Sequence, residues 1–248
     1  VVWMEAELFS GKPNFTRILN QPEAKLSPAE VHFLDNEVEE LCEMIDDWKM
    51  WRSRVIPAPV FDFIKKKGFL GMIIPREYGG LGFSHSAHSA VIQKISSRSI
   101  GAVIYVMVPN SLGPAELINH YGTDAQKKRY LPPLAKGEEI PCFGLTEPTA
   151  GSDAGSILSE GILFRGPDGE ICIRLNWKKR WITLAAISTL LGLAFRLRDP
   201  ENILGRGEDL GITCGLIPSN LNGVVIGRRH DPLGIPFHNC PTEGHDVV

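Results

Sequence analysis

Four hydroxyl-bearing residues, Thr146, Thr149, Ser152 and Ser156, fall in the single stretch from Pro141 to Ser156, interleaved with Gly144, Ala150, Gly151, Ala154 and Gly155. Hydroxyls and unhindered backbone N–H groups are what a loop offers to a phosphate or another anion, and small residues let main chain approach a ligand closely. The first half of the stretch alternates polar and apolar residues as a strand edge does. Spacing alone is also compatible with a strand followed by a Ser/Asp-capped turn that binds nothing.

Other chemistry-bearing residues are less concentrated. His85 and His88 lie three apart on a predicted helix, but no third ligand follows at a useful distance, so no metal site is expected. Five cysteines, Cys42, Cys142, Cys172, Cys214 and Cys240, are widely spaced and form no Cys-x-x-Cys pair, which points to a reducing compartment and no zinc. The net charge of −3 gives no electrostatic reason to expect nucleic acid, and the basic clusters, among them Lys178-Lys179-Arg180, read as solvated faces. Apolar residues at 43% and charged residues at 22% exclude a disordered or fibrous chain. No signal peptide and no run of about 18 apolar residues is seen, so a soluble, cytoplasmic protein is expected. The chain opens on Val1 and closes on Val248 without a visible terminating element, and both ends read as cut.

The elements that would carry the stretch divide at Ile140. Residues Val1 to Lys25 read as an extended arm. Ser27-Pro28-Ala29-Glu30 spells a capping box, and Val31, Leu34, Val38, Leu41, Cys42, Ile45 and Trp48 recur at helical steps behind it, predicting one long amphipathic helix. Further helices are predicted over 60–67, from Ser84, over 100–108, over 112–121 and from the second capping box at Thr123 and Gln126. The turn at Ile74 to Gly80 has paired glycines that permit positive φ. Downstream, Gly166-Pro167-Asp168-Gly169 marks a hairpin turn between apolar runs, and strands are predicted over 162–165, 170–177, 181–185, 188–198, 211–217 and 224–227. The expected fold class is α+β, with a helical bundle domain (1–139) followed by an antiparallel β-barrel or sandwich (140–248).

The string Leu145-Thr146-Glu147-Pro148-x-Ala150-Gly151-Ser152-Asp153 resembles the flavin-binding signature of the acyl-CoA dehydrogenase family. Three more strings stand in that family's order. These are Ile74-Pro75-x-x-Tyr78-Gly79-Gly80, the segment His120-Tyr121-Gly122-Thr123 through Leu134-Ala135-x-Gly137, and Arg180-Trp181-Ile182-Thr183. Asn110-Ser111-Leu112-Gly113-Pro114 and Ile182-Thr183-Leu184-Ala185 resemble the bacterial long-chain branch, although family members elsewhere usually have Asn where Leu184 stands.

The resemblance implies an FAD-dependent oxidoreductase that introduces a trans-2,3 double bond into fatty acyl-CoA, the first step of β-oxidation. Carried over by position, Phe143, Leu145 and Thr146 would meet the flavin ring, and Gly151 and Ser152 would sit beside its phosphates. Ser152 would also touch the acyl-CoA. Trp181 would pack on the isoalloxazine, with Ile182 alongside, and Thr183 would hydrogen-bond near N5. Without that context Trp181 reads as a core aromatic and Thr183 as an ordinary strand residue. The proton-abstracting glutamate of the family lies in a C-terminal helical domain expected to be absent here, so no catalytic residue is assigned. Glu147 is taken to shape a turn. The resemblance further implies electron-transfer flavoprotein as the acceptor, a homo-oligomeric full-length protein of bacterial origin, and membrane association through segments outside this chain. The alternative is a non-catalytic module that binds flavin or acyl-CoA without turning it over.

Overall fold

Helix ends closed by their own side chains organise the first half of the chain. The computed structural model describes residues 3–22, 24–111 and 113–248. Its helices are α1 (Trp3–Phe9), α2 (Phe15–Leu19), α3 (Pro28–Asp35), α4 (Glu37–Met44), α5 (Asp47–Ser53), α6 (Ala58–Lys66), α7 (His85–Arg98), α8 (Ile100–Ser111), α9 (Pro114–Tyr121) and α10 (Asp124–Lys136). Both expected capping boxes form. The Ser27 N–H donates to the Glu30 carboxylate at 2.7 Å, while the Glu30 N–H donates to Ser27 Oγ at 3.4 Å.

Glu30 has a second task. Its other oxygen accepts from the Ser84 N–H at 2.7 Å, at the N-cap of α7, so one buried carboxylate ties two helix starts together. Burial works against its charge, but the Ser84 and Ser27 donors prevail and lower its pKa from 4.5 to about 2. Its stabilising contribution is therefore complete above pH 4.5 and is lost as the pH falls toward about 2. Glu30→Gln is expected to flatten that part of the acid dependence and to cost about 2 kcal/mol at neutral pH. Thermal melts of the two proteins across the acid range read both effects.

The long helix expected behind Ser27 is in fact three, α3 to α5. Asn36 turns its side-chain amide onto the His32 carbonyl at 2.8 Å, and Asp46 caps the Lys49 N–H at 3.0 Å. Each side chain offers the backbone an alternative to continuing the helix. The expected extended arm carries α1 and the Asn14-capped α2 instead. Val1, Val2 and Glu23 of that arm, and Leu112 at the expected start of α9, lie outside the described residues. By length and composition the stretch Ile100–Tyr121 would pass for a membrane span, but Ala102, Tyr105 and Val106 are fully buried in the protein's own core.

The strands are β1 (Pro141–Gly144), β2 (Glu160–Arg165), β3 (Ile171–Thr183), β4 (Leu190–Arg198), β5 (Asp209–Pro218), β6 (Val224–Ile226) and β7 (Asn239–Val247). A helical half followed by a sheet is the expected α+β arrangement. The sheet itself is curled and mixed rather than wholly antiparallel. β1 and β2 lie one after the other along the same edge of β4, both parallel to it, and β5 runs antiparallel on its other edge. β3 is antiparallel to β2 and β7, and β6 pairs with β7. The two strands expected over 170–185 are a single one, β3. Phe33, Leu41 and Tyr105 from the helices and Phe69 from the turn after α6 share one core with Trp177, Ile182 and Phe195 from the sheet.

Candidate functional site

A break in strand alternation creates the site. Along β3, Leu175, Trp177 and Lys179 point inward and Asn176, Lys178 and Arg180 outward. A bulge between Lys179 and Ile182 then leaves Trp181 exposed beside Arg180 before Ile182 returns to the core. Bulges re-aim side chains in this way because the extra residue has no partner in the ladder. Trp181 is 47% exposed, and its ring centroid lies 4.1 Å from that of His230. Beside it opens a concavity of about 560 Å³ lined by Arg54, Arg228, Arg229, His230 and Asp231.

The loop after β1 is fastened to this strand end. The Arg180 N–H donates to the Thr146 carbonyl at 3.0 Å. Lys179 Nζ donates to the Leu145 carbonyl at 2.9 Å and to the Glu147 carboxylate at 2.7 Å. Glu147 also accepts from the N–H groups of Leu158 at 2.6 Å and Ser159 at 2.9 Å, so both of its oxygens are committed. The ion pair is buried, with side-chain exposures of 0% for Lys179 and 3% for Glu147. Burial pulls the Lys179 amine below its ordinary value, with Glu147 opposing. Burial would raise Glu147, but Lys179 and the Ser159 and Leu158 donors hold it below the usual carboxylate range. The solvated face expected for Lys178-Lys179-Arg180 therefore fails at its middle residue. Alternation already placed Lys179 on the inward row with Leu175 and Trp177, a signal that the run of charge concealed.

The remaining expected residues divide among three environments. Phe143 and Leu145 pack with Ala150, Ile157 and Ala194, and Phe143 faces a smaller, largely apolar pocket of about 210 Å³ against Pro114 and Ile118. Gly151 and Ser152 lie exposed on the loop, and a Cβ on Gly151 would meet no atom within 4 Å. Ile182 buries its side chain in the core, leaving its backbone at the strand end. Thr183 is paired with Asn239 of β7, whose Nδ2 donates to Thr183 Oγ1 at 3.3 Å. Leu184 follows at φ +66°, a left-handed conformation that Asn adopts more readily than Leu. Strand alternation alone did not reveal Asn239, His238, His230 or Tyr105, all supplied from distant elements.

Among the described residues no group of three or more His, Cys, Asp or Glu side chains is arranged to hold a metal ion. The arrangement is one for holding a flat, polar ligand. Trp181 offers an exposed aromatic face, Thr183 a hydroxyl and the 151–152 loop an unobstructed backbone, while Asn239 stands behind Thr183 with its Oδ1 buried and without a partner among the described residues.

Two family models cover most of the chain. Acyl-CoA dehydrogenase, N-terminal domain, matches residues 28–138, and acyl-CoA dehydrogenase, middle domain, matches 142–247. The chain is 35% identical over 217 residues to a 3-(aryl)acrylate reductase of Clostridium sporogenes, covering 87% of this chain and 52% of that protein. It is 32% identical over 186 residues to an acyl-CoA dehydrogenase of Bacillus subtilis, covering 75% and 46% respectively. It thus spans about half the length of these relatives. In fold it is similar to butyryl-CoA dehydrogenase of Megasphaera elsdenii, with a TM-score of 0.75 at 21% identity over 91% of this chain and 58% of the other.

Proposed function

The chain belongs to the acyl-CoA dehydrogenase family, and from that membership we propose that its strand end at Trp181–Thr183 and its loop at Leu145–Ser152 hold FAD for the α,β-dehydrogenation of a fatty acyl-CoA. The observation that carries this reading is the bond from the Arg180 N–H to the Thr146 carbonyl, which joins two family strings separate in sequence into one surface. A similar protein from Bacillus anthracis is described as complexed with FAD.

The residues fit the group. A half-exposed indole suits one face of a fused ring, the open backbone at Gly151 and the Ser152 hydroxyl suit phosphate oxygens, and the Thr183 hydroxyl can donate to a ring nitrogen. When bound, FAD supplies the hydride acceptor for the β carbon. The chain's own contribution is to bind and orient. Glu147 does not abstract the α proton, because its two oxygens are fully engaged by Lys179, Leu158 and Ser159. A long-chain acyl group as substrate is supported by the wording of residues 110–114 and 182–185, and electron-transfer flavoprotein is the proposed acceptor.

Anaerobic mixing of the chain with FAD and palmitoyl-CoA tests the reading. We expect the visible flavin band to shift on binding and not to bleach, since the carboxylates of Glu147 and Asp231 at the site are engaged, Glu147 by Lys179 and Asp231 by Arg54 and Arg229. Trp181→Ala is expected to weaken FAD binding by about tenfold, the loss of one stacking partner. A titration with no spectral change at any FAD concentration would sink the proposal.

A further inference from the structure

The hydroxyl of Thr183 can serve a ligand only if its proton points away from the protein, and the surrounding side chains arrange this. Asn239 is 5% exposed and faces Thr183 across the β3–β7 pair. Its Nδ2 donates to Thr183 Oγ1 at 3.3 Å, so the threonine oxygen accepts from the protein side and its own O–H is left to donate elsewhere. Asn239 is in turn held by its neighbour. The His238 carbonyl accepts from the Leu184 N–H at 2.7 Å, and His238 Nδ1 lies 2.6 Å from the hydroxyl of Tyr105, a fully buried residue of α8. Burial raises Tyr105 to about 12 and lowers His238, so both are neutral at ordinary pH and share one hydrogen bond. A line of contacts thus runs from the helical core through His238 and Asn239 to the end of β3.

We infer that Asn239, anchored by the Tyr105–His238 pair, is a positioning residue that commits the Thr183 hydroxyl to donating a hydrogen bond to the bound ring. This rests on the proposed placement of FAD at Trp181–Thr183. Asn239 touches neither ring nor substrate and acts through Thr183. Its removal should therefore change ligand affinity and the ring's spectrum together.

The test has two arms. In the unliganded chain, Thr183→Val should move the side-chain amide protons of Asn239 in a ¹H–¹⁵N spectrum, because their acceptor is gone. In FAD titrations, Asn239→Leu and Thr183→Val should each raise the dissociation constant about tenfold and displace the bound flavin band alike, with the double variant no worse than either. Asn239→Asp preserves shape while replacing the donor with an acceptor that captures the Thr183 proton. It should lose at least as much affinity as Asn239→Leu, and Thr183→Ser should restore the wild-type band. Unmoved Asn239 amide protons in Thr183→Val would overturn the inference, as would wild-type affinity and band position in both Asn239 variants alongside an impaired Thr183→Val. If Thr183→Val itself leaves FAD binding unchanged while the Asn239 amide protons do move, the placement of the ring has failed and the inference falls with it.

Discussion

Replacing Lys179 by methionine is expected to destabilise the protein by about 3–5 kcal/mol, the loss typical when one partner of a buried ion pair is removed. Two groups lose a partner at once: the Glu147 carboxylate, which keeps its N–H donors but no cation, and the Leu145 carbonyl. A second replacement, Glu147→Gln, should recover more than half of that loss, because the uncompensated charge rather than the missing bond dominates the penalty. The pH dependence should change sign. In the wild type Glu147 titrates below its ordinary range, so its contribution is complete above that range and is lost on acidification. In Lys179→Met the buried carboxylate has no cation, its pKa rises, and lowering the pH relieves it. Urea denaturation of the two proteins at pH of about 7 and about 5 should therefore show the deficit shrinking in acid. A deficit that stays constant, or grows, would mean that Glu147 is solvated and the pair is ornamental.

Gly80→Ala is the second large effect, and Gly79→Ala is its internal control. A Cβ on Gly80 would come 2.1 Å from the carbonyl oxygen of Ile74 and 2.6 Å from its carbonyl carbon. That carbonyl already accepts from the Gly82 N–H at 2.9 Å, and Ile74 is buried in the cluster that joins α9, α10 and β4. The backbone cannot retreat without disturbing that cluster, and a loss of about 3 kcal/mol is expected. Gly79 has φ +84° but open space around its missing Cβ, so Gly79→Ala should cost only about 1 kcal/mol. Denaturation midpoints of the two variants that rank in the opposite order would refute this account.

These two glycines show how far local sequence carries the argument. Paired glycines were a readable sign of a turn, and Gly79 does take positive φ. Gly80 does not, and its role is close approach to a carbonyl brought near by the fold of the turn. The same limit applies elsewhere. Ser27–Glu30 and Thr123–Gln126 were legible because a capping box is complete within four residues. The breaks at Asn36 and Asp46 were masked by an apolar pattern that continues across them, although both residue types compete with helix. β7 was not expected, and it contains Pro241 and Gly244, residue types that ordinarily interrupt strands. Gly244 is nevertheless required within the strand, since a Cβ there would fall 2.1 Å from the ring of Trp177. At the site, local sequence could single out only residues contiguous in the chain. Lys179 was concealed by the run of charge around it, and Asn239 and Tyr105 depend on a strand register and a helix-to-sheet contact that no local window contains.

The placement of β1 and β2 along one edge of β4 bears on the order in which the molecule can assemble. The loop of residues 145–159 hangs between two strands that both await residues 190–198, and the Lys179 that fastens it is also made late. Synthesis delivers the N-terminal part first, and pairings across long sequence separations are slow to close. The helical half can therefore be complete on the ribosome while the 145–159 loop still lacks the strand that aligns its two ends. Along these residues the proposed site closes only once β4 has been made, and its end at Thr183 is completed only with Asn239.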